Sequence, residues 1–261
     1  LATYLFFAVS IRLERFFITL QVIFLMATML ASYGLTKQVL RAVQGEVRRL
    51  TVARLLPAPV LEQADEDPVA LLSQPRSLRA TVVITDIRGF TAWAEDKAPL
   101  QVLGFLNRVQ GGLADIVQAH GGTVDKFMGD GMLAVFGAPV AMADHADRAV
   151  AAVEEMLRFV GTIEAVELGV GVHSGELVVG CLGSGVRMEF TILGDTVNTA
   201  SRLEAKTKEV GVPVLISQTT EAACNRGLEK LQQVEIRGKQ QVLWVYGLPP
   251  SNESGTEASS T

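Results

Sequence analysis

The chain has 261 residues, 49% of them hydrophobic and 20% charged, with a formal net charge of −5. That length allows one sizeable domain plus an accessory segment, and the acidic balance gives no electrostatic footprint for nucleic acid. Cys181 and Cys224 lie far apart and no Cys/His cluster has ligand spacing, which excludes a disulfide framework and a zinc centre and suits a reducing, cytosolic setting for the main domain.

The mean hydropathy of +0.31 is high for a soluble protein, and the excess sits in the first stretch. Phe16 to Leu35 carries no charge over about 20 residues, enough as a helix to cross the bilayer's hydrocarbon core. A buried core helix is the alternative, but such helices rarely lack charge on every face. Leu1 to Ile11 is too short to span. It reads as the end of an earlier span, with Arg12 to Arg15 as a tight loop, or as a signal peptide, although no small-residue cleavage site follows it. A start at Leu1 rather than Met fits a piece of a longer protein. Residues 1–35 are thus the expected membrane segment, in contact with lipid. Lys37, Arg41, Arg48, Arg49 and Arg54 then face one acid, Glu46, which favours a cytoplasmic location for the remainder of the chain.

Residues 36–78 read as a helical linker. Leu40, Val43, Val47 and Leu50 recur at 3-4-3 spacing, which suits either a parallel helix pair or a plain amphipathic helix. Pro57 and Pro59 end it, and Ala64 to Arg79 is rich in acids and prolines. From Thr81 strands and helices alternate. Thr81 to Thr85 is a β-branched run and an expected buried strand. Pro99 opens a helix with Leu103, Leu106, Val109, Leu113 and Ile116 on one face, stopped by His120-Gly121-Gly122. Thr123 to Phe127 and Met132 to Phe136 are strands joined by Gly129-Asp130-Gly131, a strong hairpin signal. A helix over Ala143 to Val160 precedes strands near Leu168 to His173, Glu176 to Cys181 and Met188 to Ile192. A helix from Thr196 to about Lys208 precedes closing strands at Val212 to Ser217, Leu231 to Ile236 and Val242 to Tyr246. The alternation implies mixed pairing rather than a doubly wound sheet. Residues 249–261 form a Ser/Thr/Glu/Gly-rich tail, expected to be disordered.

Asp86 and Asp130 are carboxylates at strand ends beside glycines, where backbone approaches ligands closely. Two such groups suit a divalent cation on a triphosphate; a turn Asp that caps backbone N–H groups is the alternative. Lys126 lies between apolar residues in an expected strand, awkward for an ammonium without a partner unless the position faces the surface. Asn198 and Arg202, four apart, share a helix face, as would an ordinary solvated polar pair. Gly180 to Gly185 is a weak phosphate-cradle signal without a Walker pattern. His120, His145 and His173 are scattered and read as structural.

Thr85-Asp86-Ile87-Arg88-Gly89-Phe90-Thr91, His120 through Gly131, and Phe190 through Glu204 together resemble the class III adenylyl/guanylyl cyclase catalytic domain. Arg237-Gly238-Lys239 followed by Val242 to Tyr246 resembles that family's closing segment. The resemblance runs from about Arg79 to Leu248, so residues 79–248 are the expected catalytic domain. It implies a ferredoxin-like α+β fold, active as a homodimer whose two sites lie at the interface. It implies two divalent cations, Mg²⁺ or Mn²⁺, held by Asp86, Asp130 and the Ile87 carbonyl. It implies that Lys126 and Thr191 read the purine and that Asn198 and Arg202 orient the ribose and stabilise the transition state. It also implies that Lys239 holds the terminal phosphates, with Arg187 a further candidate for facing them. In the implied reaction the ribose 3′-OH attacks the α-phosphorus in line and pyrophosphate leaves.

A Lys can donate to adenine N1 and a Thr hydroxyl can accept from the 6-amino group. Guanylyl members usually carry Glu at the position of Lys126, and often Cys or a small residue at that of Thr191, so ATP is the expected substrate. The chain is thus expected to be an adenylate cyclase in signal transduction, at the cell membrane with its catalytic domain in the cytoplasm. The alternatives are a guanylate cyclase, or a non-catalytic nucleotide-sensing dimerisation domain.

Overall fold

The computed structural model describes residues 17, 20–21, 23–44, 75–163, 166–184, 187–236 and 242–249, and of 181, 183–184 and 187–190 it describes the backbone. The chain divides into two units, Leu1–Thr51 and Val52–Thr261. In the first, helix α1 (Ile23–Gln44) has 22 residues and a mean hydropathy of 1.3. At about 1.5 Å per residue it is about 33 Å long. Every described side chain on it is exposed, including Phe24, Met29 and Leu30. The helix continues past Leu35 through Lys37 and Arg41, so the expected boundary between membrane segment and linker falls within one helix. The expected segment at 1–11, the expected tail at 249–261 apart from Pro249, and Val47 and Leu50 of the seam lie outside the described residues.

Among the described residues of the second unit the first element is β1 (Arg76–Ile87), which begins five residues ahead of the strand expected at Thr81 and inside the expected linker. Its first residues are mostly exposed and show no apolar run; they are extended because Arg76 to Ala80 pair with Val179 to Gly175. A short helix, α2 (Phe90–Glu95), and the long α3 (Pro99–Ala119) follow. Val109, Leu113 and Ile116 of α3 are buried as expected, but Leu103 is 54% exposed. Leu106 is partly buried against the same core, so the expected face meets it from Leu106 onward and Leu103 lies outside it. Strands β2 (Thr123–Met128) and β3 (Gly131–Phe136) form the expected hairpin, and α4 (His145–Gly161) leads to β4 (Leu168–Ser184).

β4 is one 17-residue strand where two were expected. Ser174 and Gly175 do not break it, because they pair with Thr81 and Ala80. The Ser174 hydroxyl also lies 2.6 Å from Thr81 Oγ1, which in turn lies 2.6 Å from His145 Nδ1. These bonds satisfy polar groups in the middle of an otherwise apolar sheet. The chain continues with β5 (Arg187–Leu193), α5 (Asp195–Val210), β6 (Val214–Ser217), the one-turn α6 (Gln218–Glu221), β7 (Glu229–Glu235) and β8 (Val242–Gly247).

The sheet order is β2-β3-β1-β4-β6-β8-β7, with β5 paired to β4. The first four strands are all antiparallel neighbours and β4–β6 is parallel. With α3 between β1 and β2, and α4 between β3 and β4, this is the βαββαβ arrangement of a ferredoxin-like fold, as expected. Alternation along β1 separates two cores. Val83 packs with Val109, Leu113, Val153 and Met156 of α3 and α4. Val82 and Ile84 face the other side, in a cluster that includes Leu133, Leu177 and Ala200 of α5.

Helix α5 lies close on β4 because that strand presents glycines toward it. A Cβ on Gly175 would sit 2.7 Å from Thr196 Oγ1, one on Gly169 would sit 2.6 Å from Glu204 Oε1, and one on Gly171 would collide with Ala200 O. Gly171→Ala is therefore expected to destabilise the domain by about 1–3 kcal/mol, the usual cost of overpacking. The measurement is the urea unfolding midpoint; an unchanged midpoint would show that α5 has room to spare.

Candidate active site

The β2–β3 turn places Asp130. Gly129 has φ 65°, and a Cβ on Gly131 would approach Thr85 O to 2.6 Å, so the hairpin packs directly on the end of β1. Gln110 Nε2 on α3 donates to Gly129 O at 2.8 Å and pins the turn. The pairing Thr85↔Met132 then brings Asp130 beside Asp86 and Ile87. Asp86 follows the parity of Val82 and Ile84 and so emerges on the α5 side of the sheet.

The two carboxyls meet within hydrogen-bonding reach. Burial raises the Asp130 pKa above its ordinary value and the Asp86 charge adds to the rise, while the N–H groups of Asp130 and Ile87 hold it back. Asp130 thus caps backbone donors and also faces a second carboxylate; the two readings of it are compatible. The Ile87 side chain is buried in the α3/α4 core, which anchors the backbone of this corner.

A third carboxyl stands nearby that sequence reasoning passed over. Glu204 on α5 is 8% exposed, and its Oε1 has no hydrogen-bond partner among the described residues. Burial raises its pKa first, then the charges of Asp86 and Asp130, while Lys208 and Arg88 oppose the rise. The signal was present: Ala200, Leu203, Glu204 and Thr207 form a buried i, i+3, i+4, i+7 stripe, and a Glu within it calls for a cationic neighbour. Lys208, one turn further on, donates to Asp86 Oδ2 at 3.2 Å. Arg88 is engaged elsewhere, donating from Nη2 to Val212 O at 2.6 Å.

Carboxylates crowded in this way, with a lysine ammonium already drawn to one of them, fit a divalent cation bound through Asp86 and Asp130, since opposite charge is what relieves both pKa shifts.

Lys126 and Thr191 form a second pair, with Nζ donating to Oγ1 at 3.3 Å. A register shift between Val124 and Lys126 makes Asp125 an extra residue in β2, and such bulges re-aim the following side chain. Asp125 Oδ2 lies 3.5 Å from the ammonium. The awkward strand lysine therefore has partners, and it is only about one-third exposed. Thr191 is buried on β5 opposite Gly180.

Asn198 and Arg202 occupy the first two turns of α5 on a common face, Asn198 exposed and Arg202 half-buried. The helix start is held by Thr196 Oγ1, which donates to Glu176 O at 2.5 Å. Residues 180–184 belong to β4, so the glycine-rich piece is strand rather than a phosphate-cradling loop. Arg187 opens β5 opposite Ser184, with its side chain outside the described residues, as is the whole of Lys239. The three histidines each have side-chain partners: His120 bonds Glu155 at 2.8 Å, His173 bonds Ser217 at 2.8 Å and His145 bonds Thr81.

A family model for the adenylate and guanylate cyclase catalytic domain matches residues 72–248, and the chain belongs to that family. It carries a class III nucleotidyl cyclase domain. It is 35% identical over 177 residues to adenylate cyclase 1 of Rhizobium meliloti, covering 64% of this chain and 27% of that protein. It is 30% identical over 185 residues to an adenylate cyclase of Anabaena cylindrica, covering 64% of this chain and 36% of that one. The chain thus spans about a third or less of the length of these relatives. Among solved structures, the adenylyl cyclase CyaB from P. aeruginosa superposes with a TM-score of 0.63 at 27% identity, covering 69% of this chain and 98% of that one. The guanylyl cyclase Cya2 superposes with a TM-score of 0.61 at 32% identity, covering 70% and 98%.

Because Asp130 titrates above its ordinary 3.8, its ionised form costs folding free energy at neutral pH. That cost is absent below 3.8 and grows as pH rises through the raised value. Asp130→Asn in chelator is expected to unfold at a higher temperature than the parent at pH 7, with the gap closing as pH falls toward 4. A gap independent of pH in a thermal unfolding series would contradict this.

Proposed function

We propose that this chain is an adenylate cyclase that converts ATP to 3′,5′-cyclic AMP and pyrophosphate, in signal transduction, at sites shared across a homodimer and held at a membrane by α1. The observation that carries the reading is the convergence of Asp86 and Asp130 in a domain that also pairs Lys126 with Thr191. Asp86 and Asp130, with the Ile87 carbonyl, would hold Mg²⁺ or Mn²⁺. Bound there, divalent cations supply charge that makes the ribose 3′-hydroxyl more acidic and offsets the triphosphate.

The purine is read by complementarity. A threonine hydroxyl accepts two hydrogen bonds; Lys126 occupies one lone pair, and the other is available to the adenine 6-amino group. A lysine ammonium can donate to adenine N1, whereas guanine presents an N1–H there and would leave two donors facing each other. Asn198 orients the ribose and Arg202 meets the negative charge that grows on the phosphoryl oxygens. Such a contact, made chiefly in the transition state, acts on kcat. Lys239 and Arg187 belong to the proposed triphosphate contacts.

Exposed Phe127 and Met128 on β2, Val178 and Leu182 on β4 and Leu193 on β5 give the strands around Lys126 and Thr191 an apolar surface. Surfaces of that kind mark protein contacts, and a second copy covering it would bring the α5 groups of one protomer to the carboxylates of the other. For α1, length, hydropathy and full exposure support a membrane span, and Lys37 and Arg41 beyond it support a cytoplasmic catalytic domain.

Turnover of ATP and GTP by the full chain, with Asp86→Ala as control, tests the reaction. ATP is expected to be preferred and Asp86→Ala to be inactive; preference for GTP would instead make this a guanylate cyclase, and absence of both activities a non-catalytic domain. Arg202→Ala is expected to lower kcat by about 10²–10³ with KM little changed. A loss carried by KM alone in steady-state kinetics would remove Arg202 from the transition state.

A further inference from the structure

The side chain that faces the carboxylate corner from α5 is a lysine. Asp86, Asp130 and Glu204 gather there, and each of the latter two is influenced by Asp86. Lys208 sits in the last turn of α5, just before the Gly211 C-cap, and its Nζ reaches Asp86 Oδ2 at 3.2 Å. That turn also ends a helix, whose free carbonyls carry partial negative charge. The neighbouring cation, Arg88, is committed to the Val212 carbonyl. Lys208 is more than half exposed and, among the described residues, pairs with Asp86, so its ammonium can swing to solvent on its four-carbon stem.

We propose that Lys208 is a built-in cation that occupies the carboxylate corner of its own protomer and is displaced by the arriving divalent metal, so that it sets the metal concentration at which the corner fills. The proposal rests on the reading of Asp86 and Asp130 as metal ligands. The ammonium and the metal compete for Asp86 Oδ2, because two cations on one carboxylate oxygen repel. An exposed pair of this kind is weak, and metal can displace it readily; a bidentate arginine would be harder to remove. Glu204 gives the lysine a further reason to lie near this corner, since Lys208 opposes the rise in its pKa.

The test is Mn²⁺ binding to the metal-free full chain in detergent, without nucleotide, followed by the electron paramagnetic resonance signal of free Mn²⁺. Lys208→Met, which keeps the length and removes the charge, is expected to bind Mn²⁺ about two- to fivefold more tightly. Lys208→Arg is expected to bind no more tightly than the parent. Equal or weaker binding by Lys208→Met would overturn the proposal while leaving the metal corner in place, provided Asp86→Ala abolishes binding. If Asp86→Ala binds as the parent does, the metal assignment itself fails and Lys208 with it.

Discussion

Two carboxylates within hydrogen-bonding reach repel, and a fold that keeps them there must hold their backbones rigidly. Asp86 sits at the end of a strand paired on both sides, to β3 and to β4. Asp130 sits in a turn seated on Thr85 O and tied by Gln110 to α3. The backbones of both groups are thus held by sheet pairing and core packing, and the pKa of Asp130 is raised first by burial and further by the charge of Asp86. Such a corner is unfavourable for the empty protein and would be relieved by the cation proposed to bind there, the usual compromise between stability and function.

Helix α5 connects that corner to the rest of the chemistry. The glycines at 169, 171 and 175 allow it to lie flush on β4, and the contact sets where every residue of the helix points. Its first turns carry Asn198 and Arg202 and its last turn carries Lys208, while Glu204 is buried between them. A helix that carries proposed transition-state groups at one end and reaches Asp86, a proposed metal ligand, at the other is placed to register both.

The backbone does not choose the nucleotide. An adenylyl and a guanylyl cyclase superpose on this domain about equally well, with TM-scores of 0.63 and 0.61. In the function proposed above, the choice falls to hydrogen-bond polarity at two side chains, Lys126 on a bulged strand and Thr191 on the neighbouring hairpin. The domain itself also does not place the protein in a cell; that rests on α1, whose apolar surface is exposed along its whole length.

Local pattern was enough to find the helices α3, α4 and α5, the β2–β3 hairpin, the mixed sheet and the family, because 3.6-residue and two-residue periodicities, turn glycines and long motifs are written in consecutive residues. It was also enough to mark Asp86, Asp130, Lys126, Asn198 and Arg202 as worth attention, and the family resemblance added Thr191. It did not extend β1 back to Arg76 or join the halves of β4, because those stretches are polar or glycine-containing and are strand only through pairing with each other. Nor did it find Glu204 and Lys208 at the carboxylate corner. Their partner Asp86 lies 122 positions before Lys208 in the chain, and only the packing of α5 against β4 brings those charges together.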